Sequence, residues 1–558
     1  MILISTKPNN TPQLHTLSDI NATPVQVKLY GTTALSLDLN YKINDSLRKP
    51  QFHTYKRNTY CLGQFSPNVV VVPEGFAYIM GIAAPGNRPT LATSGTGITG
   101  IAIGYITFVR KHPLSKKVLH ESSPSPETDP LTLTNQGRVW TNLPITTDLG
   151  VTHIRGYVSM DGADPRMAWE REIGVTSVTE NKPTLALGAV LQFDRDPPPY
   201  GAFGAIYHDR MWLIDPTDPT KIWYSKQFEP ESFTPINFVN LLDGERVTAL
   251  HKYGDTLLIW TRGTTYALTG WGPEDFAIRK INPSIGCISP YSVLDIHNKL
   301  WFASEIGVVA FDGSFTNLMK DISTVAWRSE LKAFPLGFSN CQAVDDREFH
   351  CYKLLIASEL DGGIPYYYVG HYEKLEGQLD AEQGQPDWVY DIRNRTDTAV
   401  GKIRDINSML ETVYTGSSDG FVRRENVTTN HDDDGDSFNK KLLIRFKHYL
   451  MDDPGGDITE GKHFHRLWSY IVSENNAWTL KLYGGDEVAG DATSPNWSDS
   501  VAASVLAGKL AKSVHVHVPE KVSGRGLTVA IEASTPNNMV IRGFGGTYGP
   551  GTATRGPS

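Results

Sequence analysis

Between Ala249 and Ile322 one pattern occurs twice, and that duplication restricts the possible folds more than any other feature of the chain. The first copy, ALHKYGDTLLIWTRGTTYALTGWGPEDFAIRKI, ends at Ile281; the second, SVLDIHNKLWFASEIGVVAFDGSFTNLMKDI, ends at Ile322. Each is a short apolar run, a polar tight turn, a strand rich in aromatic and β-branched residues, a Gly-containing turn and a further strand. Period-two alternation between turn signals marks a strand with one buried face. The turn at Gly254-Asp255 recurs at His297-Asn298 and the turn at Gly263 recurs at Gly307, offsets of 43 and 44 residues. A four-stranded propeller blade takes roughly 40–50 residues. A lone antiparallel blade cannot bury its own apolar face, so the pattern predicts like neighbours on both sides.

Those neighbours are present. AIYHDRMWLIDPTDPTKIWYSKQ precedes the two copies; NCQAVDDREFHCYKLLIAS, with PYYYVGHYEKL and PDWVYDI, follows them, and MLETVYTGSSDGFVRRENV is the last. First-turn positions near His208, Gly254, Asn298 and Asp346 are spaced by 46, 44 and 48 residues, and the polar stretch Glu373–Pro386 lengthens the later blades. Upstream, residues 1–95 read as short strands, among them VQVKLYG, TALSLDLN, TYCLGQF and NVVVVPEGFAYIMGI. Tyr60–Phe65 and Asn68–Val72, followed by a turn at Pro73-Glu74-Gly75, form a degenerate blade that lets the N-terminal segment help close the ring and remove an open edge.

Between these halves the character changes. AAPGNRPTLATSGTGITG (Ala83–Gly100) has the Gly/Pro/Ser/Thr content of a boundary linker. About seven short strands follow, with Tyr105, Trp140 and Tyr157 at inward positions and the polar stretch Glu121–Asp129 as an end loop. That spacing predicts a small sandwich of fibronectin type III kind, inserted in a propeller loop. DRDPPPYGAFG (Asp194–Gly204), stiffened by its prolines, is the return linker. After the acidic tract NHDDDGDS (Asn430–Ser437), the strands KLLIRFKHYL, HRLWSYIVS, AWTLKLYGG, SVHVHVPE, LTVAIEAS and MVIRGFGGTYG suit a jelly-roll-like or immunoglobulin-like sandwich. The expectation is an all-β chain: N-terminal strands at 1–95, an inserted fibronectin type III-like β-sandwich at 96–195, β-propeller blades at 196–430, and a C-terminal β-sandwich at 438–550. The propeller has about five or six blades, the N-terminal one included.

Composition excludes several classes. A length of 558 residues implies two to four domains. A net charge of −9, spread along the chain, offers no basic footprint for nucleic acid or an anionic membrane surface. The opening MILISTKPNNTPQ has neither a positive n-region nor an apolar core, so no signal peptide is expected, and no run approaches the ~20 apolar residues of a membrane span. Cys61, Cys287, Cys341 and Cys351 are too irregular for a zinc motif or disulfide scaffold; Cys341 and Cys351 flank a hairpin and have the option of pairing, but buried free thiols are expected.

Candidate chemistry is sparse. His463 with His465, and His515 with His517, each set two imidazoles on one face of a strand, a spacing zinc uses. If those strands paired in register four nitrogens would converge, but an exposed sheet face or a subunit contact accounts for the spacing equally, and no metal or cofactor is expected. The tract Asp432-Asp433-Asp434-Gly435-Asp436 lacks the alternation and distal Glu of an EF-hand loop and reads as a solvated turn. Carboxylates such as Asp209, Asp255, Asp345 and Asp346 fall at turns, where Asp is favoured for backbone reasons. With no GxSxG elbow between strand and helix, no HExxH and no Gly-rich phosphate loop opening a helix (Gly95-Thr-Gly97 lies in the linker), no catalytic residue is assigned and no enzyme is expected. Trp271, Tyr366–Tyr368 and Trp497 are the aromatics that a glycan-binding propeller would use; the bland alternative makes Tyr366–Tyr368 a blade strand whose middle ring faces opposite to the other two.

One resemblance gives these parts a common setting. Tyr266-Ala-Leu-Thr-Gly270, Gly286-Cys-Ile-Ser-Pro290 and Gly307-Val-Val-Ala-Phe-Asp-Gly313 occur in the order strand end, turn, blade and hairpin. This run resembles the propeller core of virion proteins from tailed bacteriophages, nearest to the tail hub or nozzle proteins of short-tailed phages. GYITFVR…ESSPSPE is similar to their inserted sandwich, and GRGLTVAIEAS…MVIRGFGG to their C-terminal one; the likeness spans most of residues 60–545. It implies a virion location after assembly in the host cytoplasm and a homohexameric ring. It further implies a ring that extends or closes the tail DNA channel, docks adaptor, fibre or spike proteins, and lets DNA pass through its lumen. A mildly acidic wall suits passage, since phosphate contacts supply most non-specific affinity for DNA. The alternatives are a carbohydrate-binding propeller used in host adsorption and a propeller glycan hydrolase.

Overall fold

The computed structural model describes residues 2–6, 12–16, 51–62, 68–72, 77–199, 201, 203–215, 217–241, 244–319, 324–372, 386–392, 397–404, 411–417 and 422–425, and in the last region strands alone. The chain divides into two compact units, Met1–Glu425 and Asn426–Ser558.

In the first unit β1 (Ile2–Thr6) pairs antiparallel with β2 (Pro12–Thr16). Six meandering sheets follow. The first holds β3 (Gln51–Tyr55), β4 (Asn58–Leu62), β5 (Val69–Val71) and β6 (Ala77–Ile79). An inserted domain then contributes β7 (Thr90–Lys111), β8 (Val118–Glu121), β9 (Leu131–Thr141), β10 (His153–Met160), β11 (Arg166–Glu172) and β12 (Val178–Glu180). The second sheet holds β13 (Gly204–Tyr207), β14 (Arg210–Ile214), β15 (Lys221–Tyr224) and β16 (Phe238–Asn240); the third holds β17 (Val247–Tyr253), β18 (Thr256–Thr261), β19 (Thr265–Thr269) and β20 (Ala277–Asn282). The fourth is β21 (Leu294–Ile296), β22 (Lys299–Ser304), β23 (Gly307–Phe311) and β24 (Phe315–Asn317), followed by the helices α1 (Thr324–Ala333) and α2 (Pro335–Ser339). The fifth is β25 (Gln342–Asp346), β26 (Cys351–Ile356), β27 (Tyr366–His371) and β28 (Asp387–Ile392); the sixth is β29 (Asp397–Arg404), β30 (Glu411–Ser417) and β31 (Val422–Arg424).

Two observations make these sheets blades. First strands meet first strands, β3 beside β13, β13 beside β17, β21 beside β25 and β25 beside β29, so the sheets radiate from a common centre. Each pair of successive sheets also shares an apolar core. Leu257 and Ile259 face Trp212 and Tyr207 of the second blade, whereas Leu258 and Trp260, one residue out of phase, face Leu300 and Phe302 of the fourth. Trp301 and Ala303 then face Tyr352 and Leu354 of the fifth, and Leu355 and Tyr367 face Val400 and Val413 of the sixth. The middle strands are therefore buried on both faces. This departs from the single buried face inferred from alternation, and it explains why TLLIWT reads as an unbroken apolar run. Each such side chain contributes roughly 1.5–3 kcal/mol by burial. At the other end of the chain β1 lies against β29 and β30, as ring closure by the N-terminal segment requires.

The blade count falls at the upper end of the range inferred from spacing. Three of its first-to-second turns are two-residue hairpins in which both central residues have positive φ: Lys56-Arg57, His208-Asp209 and His297-Asn298. That geometry matches the twist of the flanking strands but is ordinarily signalled by Asn-Gly, so the sequence cue is faint here.

The inserted domain corrects three sequence readings. The supposed linker Ala83–Gly100 already carries strand from Thr90 onward, and β7 runs for 22 residues. There are six strands, not seven, and they form one sheet in the order β11-β10-β7-β9-β12, with β8 also on β7. Register shifts at Ser94/Ile98 and Ile98/Gly100, where Gly97 and Gly100 have positive φ, bend β7 so that its first half pairs with β9 and its second with β10. The two leaves of the sandwich are thus continuous through β7 and close over Ile98, Ile106, Leu133, Trp140, Val158 and Trp169. Finally, Glu121–Asp129 is no exposed end loop. Ser122, Ser125 and Thr128 donate their backbone N–H groups to the carbonyls of Phe108, Ile106 and Gly104, and their hydroxyls accept from the N–H groups of those same residues. All three are buried. A serine or threonine every third residue therefore caps the edge of β7, while Pro124 and Pro126 cannot donate to a further strand.

The second unit is two four-stranded sheets, as expected of the C-terminal sandwich. One orders β32 (Lys440–Phe446), β38 (Leu527–Ala533), β34 (Trp478–Gly484) and β35 (Trp497–Val501); in the other β36 (Lys512–His517), β37 (Ser523–Gly524) and β39 (Met539–Pro550) pair with β33 (Lys462–Ser473). The turn at 73–75, the stretch 373–385 and the acidic tract 430–437 lie outside the described residues.

Candidate functional site

Among the described residues, an extended polar assembly forms a clasp where the inserted domain meets the first two blades. Arg110, at the end of β7, is fully buried. Its guanidinium donates to the carbonyls of Ile79 (2.8 Å) and Gly81 (3.4 Å) beside the first blade and to Asp148 (2.9 Å), and lies 4.3 Å from the centre of the Tyr78 ring. Glu231, between the second blade's last two strands, faces it at 3.7 Å and accepts from the Tyr78 hydroxyl and the Gly81 N–H, each at 3.0 Å. Burial pushes the Glu231 carboxyl upward, partly offset by Arg110. A second charge cluster continues the joint. Arg195 donates to Glu229 (3.1 and 3.2 Å) and Glu121 (3.4 Å), and Glu121 also accepts from Arg155 (2.6 Å), Thr107 (2.7 Å) and Tyr157 (2.7 Å). Asp196 and Phe233 exchange backbone hydrogen bonds in both directions, and Lys226 reaches Asp194 at 2.7 Å. The return segment is therefore tied down at its start, over Asp194–Asp196. Removing one partner from a buried ion pair costs about 3–5 kcal/mol, so this joint resists hinge motion.

A cavity of about 610 Å³ opens beside the strand-connecting loops of blades two to five, walled by Phe203, Ile214, Val247, Thr248, Ile288 and Tyr291. Its carboxylates are committed. Asp215 accepts from Thr217 N (2.8 Å), Thr217 Oγ1 (2.6 Å), Asp218 N (3.1 Å) and Trp223 Nε1 (3.0 Å); burial alone would raise it, but these donors hold it below the usual carboxylate range. Glu245 accepts from the hydroxyls of Thr261 and Thr264.

The carboxylates singled out in the sequence are dispersed. Asp209 accepts from Tyr55 (2.9 Å), and the carbonyl of Asp255 accepts from Tyr207 (2.8 Å). Asp345 accepts from Tyr372 (2.6 Å), Lys402 (3.2 Å) and Arg347 (3.0 Å), bonds that outweigh burial and keep its pKa low, whereas Asp346 pairs with Lys353 (2.6 Å). Tyr366 and Tyr368 are buried and both donate to Glu330 (2.7 and 2.8 Å); Tyr367 donates to Asp397 (2.7 Å) on the other side, the opposed arrangement expected of a blade strand. Trp271 is 61% exposed and stacks on His208 with ring centres 3.8 Å apart. Of Trp497 only the backbone is described.

For the histidines of the second unit the register is informative. His517 lies opposite Arg466, His515 opposite Trp468, and His463 opposite Ser523 and Gly549; β33 and β36 do pair, but no two of the four histidines are cross-strand partners. The four cysteines are buried and none is in a disulfide. Neither Arg110 nor Glu231 was singled out in the sequence; the one available cue was an arginine closing the otherwise apolar run GYITFV.

These features define an all-β protein, a propeller with six blade sheets among the described residues, together with an inserted and a C-terminal sandwich. No family model matches the chain, and no curated protein does. Solved structures that align with it include BamB from Moraxella catarrhalis, 12% identical over 67% of this chain and 94% of that one, with a TM-score of 0.23. The N-terminal domain of Nup159 is 10% identical over 62% and 84% (TM-score 0.25), and BBS1N in complex with ARL6DN is 11% identical over 49% and 73% (TM-score 0.25).

Proposed function

We propose that the chain is a structural subunit of a tailed-phage virion, one copy in a homohexameric hub or nozzle ring that extends or closes the tail DNA channel and docks other tail proteins. The observation that carries this reading is the clasp around Arg110 and Glu231, which bonds the inserted domain to the first two blades through buried charge, as a wall segment under load needs. It joins the resemblance of Tyr266–Gly313 to phage propeller cores. The inserted domain also exposes large apolar side chains, Leu114 (72%), Ile145 (84%) and Leu149 (59%) among them, of the kind that subunit contacts cover. A surface repeated head to tail closes a ring when its rotation divides the circle. Native mass measurement of the purified chain tests this: a six-copy species supports it, and a chain that stays monomeric at high micromolar concentration contradicts it. A glycan-binding role in host adsorption has one observation in its favour, the exposed Trp271, and predicts saturable glycan binding by the isolated chain that is lost in Trp271→Ala.

A further inference from the structure

A groove of about 620 Å³ runs between the serine-proline segment that caps β7 and the start of the return segment. Its walls are Pro85, Pro124 and Pro126, the Tyr105 ring and the Phe193 ring, which is 54% exposed and meets Tyr105 edge-on with centres 5.8 Å apart. Its ionisable residues other than Tyr105 are Glu127 and Asp196, so the groove carries two negative charges and no positive one.

The hydrogen-bonding inventory is one-sided. Each side-chain donor in the wall is already committed: Tyr105 to Glu127 Oε2 (2.9 Å), Ser123 to the Phe193 carbonyl (3.1 Å), Ser125 to the Pro126 carbonyl (2.9 Å). Proline adds no donor. Among the described residues, Glu127 Oε1 and the Asp196 carboxylate meet no donor, and the nearby cations are held elsewhere, Arg195 by Glu229 and Glu121 and Lys226 by Asp194. What the groove offers is therefore acceptors and an aromatic face. A ligand matched to it must bring several donors, positive charge and a flat apolar surface. Guanidinium is the side-chain group with all three: five donors in a plane, a permanent charge, and weak enough hydration to stack on a ring.

We propose that this groove receives an arginine side chain presented by a partner protein, the guanidinium lying on Phe193 and bonded to Glu127 and Asp196. The assignment is independent of the tail reading, because it rests on the groove's own charge and donor inventory.

The test uses the full chain and a Gly-Arg-Gly tripeptide blocked at both ends, with the citrulline tripeptide as its uncharged isostere, followed by saturation-transfer NMR. Saturable binding of the arginine peptide is expected, at least about tenfold tighter than citrulline, since charge-assisted bonds are roughly twice as strong as neutral ones. A comparable loss is expected in the Glu127→Gln/Asp196→Asn double variant and in Phe193→Ala. Glu127 and Phe193 are exposed and Asp196 is half-buried, and thermal melting checks that each variant folds. Equal binding of the two peptides, no saturable binding of either, or binding untouched by the substitutions overturns the proposal.

Discussion

Trp140 and Trp169 meet edge-on with ring centres 5.5 Å apart, although they sit on β9 and β11, strands separated in the sheet by β7 and β10. Strands in a flat sheet are ~4.8 Å apart, so three steps would put these rings well beyond contact. Their meeting shows how sharply the inserted sheet folds over. Two glycines make room for them: a Cβ on Gly104 would stand 2.6 Å from the Trp140 ring, and one on Gly156 would stand 2.3 Å from the Trp169 ring. Gly104→Ala and Gly156→Ala should each destabilise the protein by about 1–3 kcal/mol through overpacking. Gly263→Ala, with open space and ordinary φ, should be near neutral. Chemical denaturation of the three variants checks this, and equal stability would show that the rings have other room.

The clasp makes a second prediction. Arg110→Met removes a buried cation and leaves Glu231 and Asp148 without the partner they share. A loss of about 3–5 kcal/mol is expected. Limited proteolysis should also cut faster at exposed positions of the segments flanking the inserted domain, near residues 83–88. Wild-type resistance in this variant would mean the joint does not depend on the charge pair.

A serine-by-serine test applies to the edge cap. Ser125→Ala keeps the bond from the Ser125 N–H to the Ile106 carbonyl but takes the hydroxyl acceptor away from the buried Ile106 N–H, at a cost of about 1–3 kcal/mol. Hydrogen exchange should quicken at Ile106 and its neighbours on β7 and stay unchanged in the propeller blades.

Acid sensitivity follows from His120, which is buried beside the clasp with its Nε2 unpartnered among the described residues. Burial, then Arg110 and Arg195, push its pKa from 6.5 down to about 3. The unfolded chain takes up this proton near pH 6.5 and the folded chain only near pH 3. Between those values the unfolded state binds more protons, so stability is intact above about pH 6.5 and falls as pH drops towards 3. His120→Asn should flatten that dependence by on the order of a few kcal/mol relative to the parent, read from urea midpoints across the window. Parallel curves for the two proteins would contradict it.

What could be read from the sequence divides along physical lines. The blades were legible because Leu257–Trp260 and Leu300–Ala303 must be apolar at a fixed 43-residue spacing, whichever neighbour they face. The opposed rings of Tyr366–Tyr368 followed from strand pleating alone. Ser122–Thr128 was misread because its pairing runs through hydroxyls, which no alternation of apolar and polar residues can register. Thr90–Gly100 reads as linker because the bulges that bend β7 need glycine, the residue that also marks loops. Arg110 and Glu231 lie 121 positions apart, and nothing local to either announces the other.

Electron cryomicroscopy of the particle that carries this chain tests the central claim most directly. The account expects six copies around the DNA channel at the tail, each a six-bladed disc fused rigidly to its inserted sandwich. A chain found singly, away from the channel axis, or absent from the particle would contradict it.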